Sequence, residues 1–132
     1  MLYLIFILTI FLHVWSDFYK QGWLAESKCK TWWVQQPNYN KLYENDHWGM
    51  LIAHSIHWCF CIMLPSLIYG TIYTQNLTLF GFLSAIVFII NVVIHSIVDD
   101  LKANQHKTNL LQDQFIHLTQ IIVTVCFLWG LS

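Results

Sequence analysis

Four long apolar stretches, each broken by a pair of histidine or aspartate residues, constrain this chain more than anything else in its sequence. They run over about residues 2–24, 48–73, 77–102 and 108–131. A membrane-spanning helix needs about 20 mainly apolar residues, and the last three stretches meet that length. The first does so only if it carries Asp17 into the interface. Pro65 lies inside the second and removes one backbone hydrogen bond, which membrane helices tolerate when neighbours satisfy the freed carbonyl. The rest of the chain offers no soluble alternative. Charged residues make up 10% of it and hydrophobic residues 57%, whereas a soluble domain carries about 25% charge. The expectation is one all-α domain over residues 1–132, an integral-membrane four-helix bundle, multi-pass in a cell membrane.

The lysines set the expected orientation. Lys20, Lys28, Lys30 and Lys41 fall at or after the end of the first stretch, Lys102 and Lys107 fall between the third and fourth, and there is no arginine. The positive-inside rule puts both lysine-bearing connections in the cytoplasm and both termini outside. The absence of a basic patch excludes nucleic acid as a partner. Met1 to Leu12 lacks the basic start and cleavage site of a signal peptide, so it reads as a retained helix. The only long connection, residues 25–47, carries Trp32, Trp33, Tyr39 and Tyr43 and reads as an interfacial loop. Cys29, Cys59, Cys61 and Cys126 lack the spacing of a disulfide framework and are expected as free thiols.

The interruptions are not scattered. His13 and Asp17, His54 and His57, His95 and Asp99, and Asp113 and His117 each stand three or four residues apart, so each pair shares a helix face. Random placement of seven histidines and five aspartates would give roughly 0.5 His/Asp pairs at spacing four, the spacing of helical neighbours; three are present. The faces extend through Thr9, Asn91, Gln120 and Thr124. Depth agrees as well. With alternating helix directions, all eight side chains fall in one layer near the lysine-bearing end, since a four-residue step is roughly 6 Å. Buried charge in a membrane needs a reason. A divalent cation would relieve the repulsion between carboxylates and use neutral histidine nitrogens. His and carboxylate donors suit zinc, iron or manganese, and eight candidates allow one ion or two. The alternative is a hydrogen-bonded His/Asp network that locks helix packing without metal. Asp100 is expected to face the cytoplasm, and His47 and His106 to lie in solvated loops.

These motifs resemble a known pattern. His13-Val-Trp-Ser-Asp17-Phe-Tyr-Lys-Gln21 with Ala25 and Lys28, His54-Ser-Ile-His57, His95-Ser-Ile-Val-Asp99-Asp-Leu-Lys102 and Asp113-Gln114-Phe-Ile-His117 are similar, in order, to domain-of-unknown-function family 3307. That family comprises small polytopic membrane proteins of bacteria and phage. The resemblance spans nearly the whole chain and implies a bacterial inner-membrane setting. The Trp-rich segment from Thr31 to His47 is longer than the family pattern. The resemblance adds Gln21, Lys28, Lys102 and Gln114 to the candidates. A more distant likeness to membrane-bound metal-dependent hydrolases is an analogy of fold only.

Three classes of function follow. The leading expectation is a membrane-embedded metal-dependent hydrolase of a lipid or phosphate-bearing substrate, working from the cytoplasmic side. There Asp99 or Asp113 would be a base and Lys102 or Lys28 a phosphate holder, with Gln21, Asn91 and Gln114 behind the ligands. The second is an ion or proton path, or metal binding without catalysis. The third is a small interaction protein in which the His/Asp network is structural. Membrane lipid is the expected partner, and homo-oligomerisation is compatible with all three.

Overall fold

The structure is a computed structural model describing residues 1–132, and it contains helices and no strand. Helix α1 covers Leu2–Val14 and passes into a π-helical turn, Trp15–Tyr19. Two short helices follow, α2 at Trp23–Ser27 and α3 at Lys30–Val34, then a 3-10 turn at Lys41–Tyr43. The long helices are α4 at His47–Tyr73, α5 at Leu77–Ala103 and α6 at Leu110–Gly130. Four helical segments are long and apolar enough to cross a membrane: Leu2–Tyr19, Lys41–Tyr73, Leu77–Ala103 and Leu110–Gly130.

Local chemistry fixes most of the ends. The Asn76 side chain accepts from the backbone N–H of Leu79 at the start of α5 (3.0 Å). Asn109 and Gln112 form a reciprocal capping box at the start of α6. The first helix ends sooner than its apolar run, at Tyr19 rather than near residue 24. Gly22 there has φ +48°, a conformation glycine adopts without penalty and other residues rarely take. Beyond it the expected loop is largely folded. The Asn104 side chain accepts from the Lys30 backbone N–H (2.7 Å) and donates to the Lys28 carbonyl (3.1 Å). Lys30 pairs with Glu44 at 3.0 Å, and the Trp33 indole donates to the Ser27 carbonyl at 2.6 Å. These contacts pin α2 and α3 to the end of α5. Trp23, Trp32 and Trp33 pack edge to face beside them.

Helix α4 is the centre of the bundle, touching α1, α5 and α6. The interior divides in two along the helix axes. One half is apolar, with Ile5, Trp58, Cys59, Ile62, Met63, Phe80, Ile121, Val125 and Leu128 in one cluster. The other half, toward the lysine-bearing end, buries Thr9, His13, Asp17, His54, Asn91, His95, Asp99, Asp113 and His117. The outer faces are apolar instead, with Ile7, Phe11, Phe82, Ile89, Phe115 and Val123 among the exposed side chains. Such an inside-out distribution suits lipid as the solvent. All four cysteines are free.

The α4–α5 contact is closest at Gly70, where an added Cβ would stand 2.0 Å from the Phe80 ring. Phe80 is itself buried in the apolar cluster, so its ring cannot simply swing away. Gly70→Ala should therefore destabilise the bundle by about 1–3 kcal/mol, the usual cost of overpacking. Thermal unfolding in detergent measures this, and Phe80→Leu in the same chain should recover part of the loss.

Candidate metal centre

Each long helix delivers its polar face to one place. The π-turn widens the end of the first helix and turns both Ser16 and Asp17 inward; such bulges recur at functional sites. His54 enters from α4, His95 and Asp99 from α5, and Asp113 and His117 from α6. All six are buried. Their donor atoms form three overlapping groups able to hold a metal ion: Asp17, His54 and His95; His95, Asp99 and His117; and Asp17, Asp113 and His117. Within each group the atoms lie within 4.8 Å of one another.

The closest approaches centre on two histidines. His117 Nε2 stands 3.3 Å from Asp113 Oδ1 and 3.4 Å from Asp99 Oδ1. His54 Nε2 stands 3.3 Å from Asp17 Oδ1 and 3.6 Å from Asp99 Oδ2. Yet His117 Nε2, His54 Nε2, Asp99 Oδ1, Asp113 Oδ1 and both nitrogens of His95 have no hydrogen-bond partner. Buried polar atoms left this way cost about 1–3 kcal/mol each, so a cluster of them calls for an explanation. Donors sharing a tetrahedral ion stand about 3.3–3.4 Å apart, given bonds of about 2.0–2.1 Å. The spacing around His117 Nε2 is of that size, and the buried groups could hold a metal ion.

The surrounding contacts fix how these donors present themselves. His117 Nδ1 lies 3.2 Å from Gln120 Oε1, which can only accept, so Nδ1 carries the proton and Nε2 is turned to the cluster. Gln120 in turn donates to Asn91 Oδ1 (3.2 Å), and Asn91 donates to Thr124 (2.8 Å). The Trp58 indole donates to His13 Nδ1 (2.9 Å), which leaves His13 Nε2 to donate to Gln114 Oε1 (3.1 Å). The Gln114 amide then donates to Asp17 Oδ2 (2.8 Å) and Asp113 Oδ2 (3.1 Å). Gln21 donates to Asp17 through both its Oδ1 (2.8 Å) and its carbonyl. Two lysines close the shell. Lys28 pairs with Asp99 Oδ2 at 2.7 Å and Lys102 with Asp113 Oδ2 at 2.5 Å. Asp99 and Asp113 thus give one oxygen to a lysine and leave the other facing His117. With neutral histidines, three aspartates and two lysines leave a net charge of −1 in this shell.

Not every residue expected as a ligand stands among the donors. His13 lies beside them with both nitrogens engaged, so it supports Gln114 rather than facing an ion. His57 points outward. It is exposed and hydrogen-bonds Ser16 Oγ through Nδ1 (3.0 Å), with Cys61 Sγ at 3.8 Å from Nε2. The α4 face that turns inward is His54, Trp58 and Cys61 instead, and His57 falls off its edge. Asp100, expected in solvent, is buried and accepts from the Asn104 and Gln105 side chains at 2.8 Å each. His47, expected in a solvated loop, is buried as the first residue of α4, while His106 is exposed. Trp58 was missed altogether. It stacks on His95 at 4.1 Å and 20° besides holding His13. Its four-residue step from His54 is the signal that marks it.

Lys28 and Asp99 are both nearly sealed from solvent, with side-chain exposures of 7% and 0%. Lys28→Met should therefore cost about 3–5 kcal/mol of stability by leaving a buried carboxylate without its partner. Adding Asp99→Asn should restore much of it, as measured by thermal unfolding in detergent with chelator present.

The sequence matches no protein-family model and no curated protein, and the fold matches no solved structure.

Proposed function

We propose that the chain is a membrane-embedded metal-dependent hydrolase whose centre holds one divalent cation, with zinc, iron or manganese the ions its donors suit. The observation that carries this reading is the set of orphaned donor atoms converging on His117 Nε2. A proton on Nε2 would also balance the charge of −1, but it would be expected in a hydrogen bond, and Nε2 makes none. One divalent ion brings the shell to +1, which favours an anionic substrate, whereas two would bring it to +3 with no further carboxylate at hand to offset them.

The lysine-bearing end faces the cytoplasm by the positive-inside rule, so substrate arrives from that side. A bound divalent ion would supply Lewis acidity toward a phosphoryl oxygen and acidify water. The residues supply the rest. Lys102 is the more exposed of the two lysines, its side chain 27% accessible, and is placed to neutralise a phosphate. Asp99 or Asp113 accepts the proton of the attacking water as its oxygen bonds to phosphorus, and returns it to the leaving oxygen as the P–O bond breaks. Gln114, Gln21 and Gln120 hold the carboxylates and His117 in orientation.

A proton or ion path is the second reading, favoured by the hydrogen-bonded run from His117 through Gln120 and Asn91 to Thr124. The run ends against the apolar cluster of Ile62, Ile121, Val125 and Leu128. That plug favours a pocket open at one end, and proton flux into liposomes would reverse the preference.

Elemental analysis of gently purified protein tests the metal. About one equivalent per chain is expected, lost in His95→Ala/His117→Ala and kept in His57→Ala. Gln120→Leu should weaken binding about 10–100-fold, the usual effect of removing a partner behind a ligand. A well-folded wild type that stays metal-free after resupply would sink the reading. With metal in place, chelator-sensitive phosphate release from an isoprenyl monophosphate tests the hydrolase.

A further inference from the structure

Outside the polar core, the largest opening lies between α5 and α6. It is a lateral groove of about 620 Å³ with a mostly hydrophobic wall. It runs from Leu83 and Phe127 at one end to Ile94 and Phe115 at the other. Eleven residues along α5 make that roughly 16 Å. The groove lies within two membrane-spanning segments, so hydrocarbon rather than water is its natural content.

Three observations narrow the occupant. First, the polar atoms on the floor are already committed. Asn91 donates to Thr124 and to the Val87 carbonyl, and Gln120 accepts from His117 and donates to Asn91. The groove therefore offers a ligand apolar contact only. Second, it is too small for a helix. A helix 10–12 Å across and about 16 Å long displaces over 1,200 Å³, about twice the space. Third, it does not stop at Ile94. A second cleft of about 450 Å³, lined in part by Thr108 and Gln112, shares Phe115 and Ile116 with it. Together they lead from mid-membrane to the start of α6, where Asp113 and Lys102 pair. Ile94 and Ile116 each immediately precede a histidine of the metal centre in sequence.

We propose that the α5–α6 groove seats the single hydrocarbon chain of an anionic amphiphile drawn sideways from the bilayer, with its phosphate head at Lys102. Resting on the hydrolase reading, this makes the substrate a one-chain lipid phosphate. A soluble phosphate ester would leave the groove without a role.

Photolabelling tests it on the purified full-length chain in phosphatidylcholine nanodiscs. The probe is hexadecyl phosphate with a mid-chain diazirine. Labelling should concentrate on the peptides spanning 83–94 and 115–127. Unlabelled hexadecyl phosphate should compete, hexadecanol less well, and inorganic phosphate not at all. Ile90→Trp and Val123→Trp should each cut labelling about tenfold while leaving metal content and the unfolding temperature unchanged. Lys102→Gln should erase the advantage of the phosphate over the alcohol. Labelling spread evenly over every lipid-facing helix would mean annular lipid only and overturn the proposal. So would a dimer that the Trp variants convert to monomers, which would make a second copy the occupant. The two readings fail separately. Groove labelling in a metal-free protein keeps the lipid site and removes the hydrolase. Metal-dependent turnover with even labelling does the reverse.

Discussion

Three carboxylates held inside a helical bundle in lipid dictate most of what surrounds them. A buried carboxylate is tolerated only when it is paired or hydrogen-bonded, and here each has its own solution. Asp99 takes Lys28, Asp113 takes Lys102, and Asp17 takes the amides of Gln21 and Gln114. Those demands reach beyond the four spans. Lys28 arrives from the end of α2, so the segment after the first helix must fold back over the bundle to deliver it. Asn104 and Glu44 are what hold it there. The supposed loop is thus part of the polar core's containment.

The division of the interior follows from the same demand. Polar donors crowd one half and the apolar cluster fills the other, with Trp58 at the boundary. Its indole edge serves His13, its face covers His95, and its bulk closes the apolar side. A single residue therefore separates a chemically reactive layer from a sealing one. That arrangement suits a pocket entered from one side.

The sequence carried the broad plan in a readable form because lipid imposes simple rules. Length and hydropathy revealed four spans, and the four-residue His/Asp steps revealed which faces meet. What escaped was whatever depends on exact helix phase or on distant partners. His57, three residues from His54, shares its side of α4 only loosely, and the difference of one position turned it outward to Ser16. Asp100 looked solvated until Asn104 and Gln105 were seen to cover it. Helices α2 and α3 have five residues each, too few for local propensity to announce, and stand by tertiary contact. Gly22 was visible as a glycine, but nothing nearby in sequence signalled that the helix would widen before it.

That widening ties the metal layer to chain length rather than to residue type. Within Trp15–Tyr19 the helix accommodates its residues in a looser coil than the turns before it. Removing one residue there would let the segment relax to a regular α-helix and rotate everything after it by about 100°. Asp17 would swing toward lipid while Thr9 and His13 stayed in place. The hydropathy of the span would hardly change. The first helix thus has a phase as well as a composition, and a small deletion that left the membrane topology intact would take one carboxylate out of the centre.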